Sequence, residues 1–272
     1  TACCSPVIAL SSSPSQARTS GRGLGWDVRD ASERYQSVSR RALLISHEPQ
    51  AHPALIGEIL RARGLEVDEH VVLGDARAPD TDFPEVTGYD VVMAFGSFAN
   101  AYDDRHRPWV EAEVDLLDRV VDAGTPYLGV CFGGQLLAEA LGGRVEKAPP
   151  GHDEIGLVTI VPNPGVEVPT GPWFSWHEDR IVLPVDGSVE VLARNDHAVQ
   201  VFRRGSAVGL QFHPEAAVDL VTEWADMGPE HIPSRTTREA LLNELGAAAA
   251  VTRANCEVLV DWFLRDIAHW ET

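Results

Sequence analysis

Between residues 41 and 141, short apolar and β-branched runs alternate with stretches where apolar residues return every three or four positions. The runs are Ala42-Leu43-Leu44-Ile45, Leu65 to Leu73, Tyr89 to Phe95, and Pro126 to Val130. Runs of this length, bounded by turn residues, predict strands. The periodic stretches are Pro53 to Arg63, Pro108 to Ala123 and Gln135 to Leu141; the second carries Val110, Val114, Leu117, Val120 and Val121 on one face. They predict helices, and Gly64 and Gly124 stand where a helix closes on a left-handed residue. The alternating order predicts an α/β fold: a mainly parallel central sheet with helices on both faces.

From Arg144 the rhythm changes. Short β-like segments follow one another at Ile155 to Val161, Val189 to Arg194, Ala198 to Phe202 and Ala207 to Phe212. They predict an antiparallel extension of the sheet. Helical spacing returns at Glu239 to Leu245 and at Ala247 to Ala268. The latter carries Val251, Val258, Leu259, Trp262 and Phe263, a face for packing on the domain or, alternatively, for dimerisation. Trp173, Trp176, Trp224, Trp262 and Trp270 read mostly as core.

Residues 1–39 differ in composition, with Ser11-Ser12-Ser13-Pro14-Ser15 and Gly21-Arg22-Gly23-Leu24-Gly25. They read as a disordered tail, or as a misassigned start, ahead of a single domain over residues 40–272 that ends in a helical extension. The glycines do not make a phosphate loop: no strand precedes them and no Gly-Lys-Ser/Thr follows.

The most informative point lies where the strand ending at Val130 meets the helix starting near Gln135. The junction is Gly129-Val130-Cys131-Phe132-Gly133-Gly134-Gln135. This is the strand–turn–helix spacing of a nucleophile elbow, with cysteine at the nucleophile position. Glycines let neighbouring backbone come close around so tight a turn. A sulfur at a helix N-terminus is also favoured as thiolate by the macrodipole. A free cysteine is more often a buried structural residue, so the reading needs a base. The chain supplies one in Val208-Gly209-Leu210-Gln211-Phe212-His213-Pro214-Glu215, an apolar strand ending in His-x-Glu. Residues two apart in extended chain point to the same side, so Glu215 is placed to orient His213.

Gly-Val-Cys-Phe-Gly-Gly-Gln together with Gln-Phe-His-Pro-Glu resembles the class I, triad-type glutamine amidotransferase family. Within it, the chain is most similar to free-standing domains like the glutaminase part of GMP synthase. Supporting stretches are Phe95-Gly96-Ser97, Tyr102-Asp103-Asp104, Ala140-Leu141-Gly142-Gly143 and Ser175-Trp176-His177-Glu178-Asp179. The resemblance runs from about Arg41 to about Trp224. It implies a flavodoxin-like fold and a Cys131, His213, Glu215 triad that cleaves the glutamine side-chain amide through a γ-glutamyl thioester.

The resemblance implies further roles. Phe132 would supply one backbone N–H of an oxyanion hole, and Gly96 and Ser97 the other. The family has two glycines and a proline in that loop; this chain has Gly96-Ser97-Phe98, and a side chain at position 97 restricts the rotation that presents an N–H. Gln135 and Gly156 would contact substrate. His47, His177 and Asp104 border the same loops and read as structural or interfacial. No ATP-binding P-loop is present, so either a separate ammonia-accepting synthase subunit is implied or the ammonia acceptor is absent. The same triad also serves γ-glutamyl peptidases and hydrolases, and the same fold serves catalytically silent regulatory domains.

Bulk properties narrow this only at the edges. A formal net charge of −19 argues against nucleic-acid or anionic-membrane partners. The four cysteines, Cys3, Cys4, Cys131 and Cys256, form no C-x-x-C pair, so no metal site and no other cofactor is expected. Such usage suits a reducing, cytoplasmic compartment. No apolar run is long enough to span a membrane, and the first residues lack the basic and apolar segments of a secretory signal.

Overall fold

The computed structural model describes residues 40–74, 80–101 and 107–270. The expected tail, with Cys3 and Cys4, lies outside them, as does the stretch Tyr102-Asp103-Asp104.

The first half follows its pattern. It runs β1 (Arg41–Ser46), α1 (Ala54–Ala62), β2 (Glu66–Val71), β3 (Val91–Ala94), α2 (Arg107–Ala123), β4 (Tyr127–Val130) and α3 (Phe132–Ala140). The second half runs β5 (Arg144–Lys147), β6 (Glu154–Val158), β7 (Val161–Pro162), β8 (Trp173–His177), β9 (Asp179–Val182), β10 (Glu190–Arg194), β11 (Val199–Arg204) and β12 (Ala207–Leu210). It closes with α4 (Val218–Met227), α5 (Arg238–Trp262) and a π-helical turn at Phe263–Ile267.

The main sheet has the strand order β2-β1-β3-β4-β12-β11-β10-β7. β2, β1, β3, β4 and β12 pair in parallel. β11, β10 and β7 continue the sheet antiparallel. Two short ribbons, β5 with β9 and β6 with β8, stand apart from it.

Strand alternation sorts the core into two layers. Ala42 and Leu44 face one side of the sheet, where Leu55, Ile56 and Ile59 of α1 and Leu259 and Val260 of α5 cover them. Leu43 and Ile45 face the other, under Trp109, Val110 and Leu117 of α2 and Leu136 and Leu137 of α3. The predicted arrangement of helices on both faces is therefore the observed one.

Several expectations need correction. The run Ile155 to Val161 is not one strand: it splits into β6, in a ribbon, and β7, at the far edge of the main sheet. The C-terminal helix does not break near Gly246; α5 runs through it. A helix-interior glycine costs only about 1 kcal/mol, and packing of α5 on α1 and α4 offsets that. Val251 and Val258 are half exposed, so only Leu259, Trp262 and Phe263 of that set pack inward. Helix α4 and the strands β5, β8 and β9 are additional to the elements the pattern predicts.

The register aligns the loops that matter. Ile45 pairs with Ala94, Ala94 with Gly129, and Leu210 with Val130. Continuing each pairing past the strand ends places His47, Gly96, Cys131 and Gln211 in one row. That row lies at the carboxyl ends of the parallel strands, where open α/β sheets bind ligands.

Candidate active site

Cys131 sits on a strained turn between β4 and α3, at φ 50° and ψ −103°. A non-glycine residue there is uncommon and persists only when its surroundings hold it. The surroundings are specific: the N–H of Cys131 donates to Leu210 O at 2.9 Å, and that of Gly133 to Phe95 O at 3.0 Å. The Tyr127 hydroxyl donates to Gly133 O at 3.0 Å. A side chain at 133 would collide with the Ala94 carbonyl, and one at 134 with the Leu210 carbonyl. Those two glycines let α3 start this close to the sheet.

His213 follows β12. Its N–H donates to Phe174 O at 2.7 Å, which ties it to β8. Its ring Nδ1 meets Glu215 Oε1 at 2.7 Å, with both side chains buried. Trp224 of α4 packs against the ring at 4.8 Å between centroids, and its own indole N–H donates to Gln50 O at 2.7 Å. Burial disfavours a charged imidazole here, but Glu215 and Cys131 outweigh it and raise the His213 pKa to about 10. A ring between a carboxylate and a sulfur is thereby held as imidazolium at neutral pH.

Cys131 is almost wholly buried, yet it lines an open cleft with Gly96, Ser97, Phe132, Gln135 and His213. The empty volume, open mouth included, is about 860 Å³. The thiol faces Trp176 O at 3.9 Å, and Gln211 Nε2 approaches the sulfur at 3.9 Å. The mouth is framed by His231, which meets Glu178 at 3.2 Å. Gly156 is not brought to the cleft: a side chain there would meet Leu241 and Glu244 of α5. Its φ of 118° and its pairing with Ser175 serve the ribbon instead.

A family model for class I glutamine amidotransferases matches residues 55–220, more than half of the chain. The chain belongs to this family. A GMP synthase (glutamine-hydrolysing) of Thermus thermophilus is 36% identical over 140 residues, 44% of this chain and 27% of that protein. The chain thus matches only about a quarter of that relative's length. A GMP synthase (glutamine-hydrolysing) subunit from Sulfolobus acidocaldarius is 36% identical over 154 residues, covering 52% of this chain and 74% of that one. Gamma-glutamyl peptidase 4 of Arabidopsis thaliana is 29% identical over 164 residues, covering 55% and 64%. A solved glutamine amidotransferase of Thermotoga maritima has the same fold, with a TM-score of 0.72 at 23% identity over 85% of this chain and 99% of that one.

Around this cleft lie buried polar contacts that the sequence motifs do not give. His47, after β1, is fully buried: Nδ1 donates to Gly96 O at 2.9 Å and Nε2 meets Glu113 Oε2 of α2 at 2.8 Å. Burial opposes its charge, but Glu113, Glu48 and the Gly96 carbonyl raise its pKa above the ordinary value. Glu48 Oε1 accepts from the Ser97 hydroxyl at 2.8 Å and from the Phe98 N–H at 3.3 Å. The available signal was positional: His47 and Glu48 follow a parallel strand at the sheet's carboxyl edge.

A second buried network lies under the cleft wall. His177, a cleft residue, meets Glu154 Oε2 at 3.1 Å and donates from Nδ1 to Asp179 O at 2.8 Å. Gln200 and Asn195 each donate to Glu154 at 2.6 Å. Burial pushes the Glu154 pKa up, but these donors outweigh it and leave a net depression. Among the described residues, no group of three metal-ligating side chains forms a metal site. No helix among them is long and apolar enough to cross a membrane.

Proposed function

We propose that this chain hydrolyses the side-chain amide of glutamine, with Cys131 as nucleophile, His213 as acid and base, and Glu215 as its orienting carboxylate. The observation that carries this reading is the strained Cys131 turn beside a His213–Glu215 contact of 2.7 Å. Cys131 attacks the amide carbon as thiolate, forming a carbon–sulfur bond and an oxyanion. Backbone N–H groups of Phe132 and the Gly96–Ser97 peptide receive that oxyanion. Collapse breaks the carbon–nitrogen bond, and His213 gives its proton to the leaving ammonia. His213 then takes a proton from water, which attacks the thioester carbon and releases glutamate. Gln135, buried and lining the cleft, contacts the substrate in this reading.

The ammonia goes, in this reading, to a separate synthase subunit. The support is the similarity to the GMP synthase subunit of Sulfolobus acidocaldarius. The acidic chain, at −19, fits no nucleic-acid partner, and its cysteine usage fits a cytoplasmic setting. A second reading, supported by the likeness to a γ-glutamyl peptidase, is cleavage of γ-glutamyl conjugates by the same three residues.

One comparison separates these. Ammonia and glutamate release from free glutamine is set beside release of the partner amino acid from γ-glutamyl dipeptides, in wild type and Cys131→Ala. Activity on glutamine alone, lost in the variant, supports the first reading. Activity on dipeptides alone supports the second, and activity that survives in Cys131→Ala overturns both.

A further inference from the structure

The oxyanion loop of this chain carries Ser97 and Phe98 where the family resemblance implies a second glycine and a proline, so its peptide planes rest on this chain's own contacts. Ser97 stands at the second position, and its side chain narrows the backbone's choices. A loop free to rotate would present an N–H only part of the time.

Three fixings converge on it. The Gly96 carbonyl accepts from buried His47 at 2.9 Å. The Ser97 hydroxyl and Phe98 N–H both donate to Glu48. Behind His47, Glu113 is fully buried and holds Nε2 at 2.8 Å. The His47 ring also packs edge-on against Phe132 at 4.7 Å and lies 5.4 Å from Trp109. One imidazole thus touches both segments that flank the sulfur: the peptide after β3 and the first residue of α3.

We infer that the His47–Glu113 pair is a positioning device that locks the Gly96–Ser97 peptide with its N–H turned into the cleft. The geometry follows from peptide planarity. In a trans peptide the C=O of residue 96 and the N–H of residue 97 point in opposite directions. His47 draws the carbonyl into the buried layer, so the Ser97 N–H faces the other way, toward the cleft that Gly96 and Ser97 line with Cys131. A carbonyl only accepts, so Nδ1 must carry a proton; the Glu113 carboxylate accepts from Nε2, so the ring donates from both nitrogens and is held turned toward Gly96. Flipping the peptide would leave a buried imidazole N–H without an acceptor, which is costly. The loop is therefore formed before substrate arrives, with no partner needed to set it.

This inference rests on the glutaminase reading, and its test separates the two. His47→Asn keeps an amide N–H near the position of Nδ1, whereas His47→Gln keeps one near Nε2 and abandons Gly96. For glutamine hydrolysis, His47→Gln is expected to lose about 100-fold in kcat, the cost of one oxyanion donor, with KM within a few-fold. His47→Asn is expected to stay within about tenfold of wild type. Alkylation of Cys131 by iodoacetamide passes through no oxyanion, and its rate is expected to hold in both variants.

An unchanged kcat in His47→Gln overturns the inference and leaves the glutaminase reading standing. So does a parallel fall in kcat and alkylation, which marks a general collapse of the site. A wild-type chain that releases no ammonia overturns the glutaminase reading and the inference with it. One readout needs no variant at all. When Cys131 of wild type adds to a glutamine-like γ-aldehyde, the Ser97 amide proton resonance is expected to move downfield, and an unmoved resonance overturns the inference.

Discussion

Gly96 lies against His213 so closely that a Cβ on residue 96 would stand 2.9 Å from His213 Cε1. The residue offered for the oxyanion loop and the residue offered as base are thus in direct steric contact. Adding one methyl group at 96 has to displace the ring or the loop. Gly96→Ala is therefore expected to lower kcat by about 100-fold, the scale of a ~1 Å misplacement, with little loss of folding stability. Steady-state kinetics and a urea titration of the same sample check it.

The Glu215 carboxylate holds His213 above its ordinary pKa. With Glu215→Gln, burial acts with less opposition, and the His213 pKa is expected to fall from about 10. A raised folded-state value stabilises the fold fully below the unfolded value of about 6.5 and loses that contribution as pH rises through about 10. Wild type is therefore expected to lose stability across that window more steeply than the variant. Imidazole NMR titration and urea unfolding at several pH values measure both.

Glu154 accepts from His177, Asn195 and Gln200 inside the wall beside the cleft. Glu154→Gln keeps the shape but removes the charge and turns one acceptor into a donor. A loss of about 2 kcal/mol is expected, the scale for leaving buried hydrogen-bonding groups unsatisfied. Because the folded-state pKa of Glu154 is depressed, its contribution is present above about 4.5 and fades as pH falls through the depressed value. Wild type and variant should converge in stability at acid pH, by chemical denaturation.

The turn at Cys131 depends on backbone proximity. Gly134→Ala would put a methyl carbon 2.5 Å from the Leu210 carbonyl oxygen. Neither backbone can yield without disturbing β12 or α3. The expected cost is about 3 kcal/mol, the upper range for overpacking, together with a loss of Cys131 reactivity. Thermal unfolding and iodoacetamide labelling report the two effects.

Much of this site was legible in the residues because its parts are local. A strand, a tight glycine turn and a helix occupy one short run around Cys131, and His213 and Glu215 are two residues apart. What was not legible depends on long-range register. His47 meets Gly96 only because β1 pairs with β3, and it meets Glu113 only because α2 covers that face of the sheet. Gly156 was placed by motif likeness to the cleft, but the β6–β8 pairing turned it toward α5. Helix α4, missed in the pattern, supplies Trp224 against His213; its apolar positions Leu220, Val221, Trp224 and Ala225 carry helical spacing. The two expected C-terminal helices are one, because tertiary packing of α5 outweighs a single glycine.

The central claim is that glutamine passes through a covalent bond to Cys131. Acid quenching of the chain during turnover of isotopically labelled glutamine, followed by peptide mapping, tests it directly. The label is expected as a γ-glutamyl group on the peptide that contains Cys131, and to be absent from Cys131→Ala, which also releases no ammonia. Hydrolysis of glutamine by Cys131→Ala, or label on any other peptide, would contradict it.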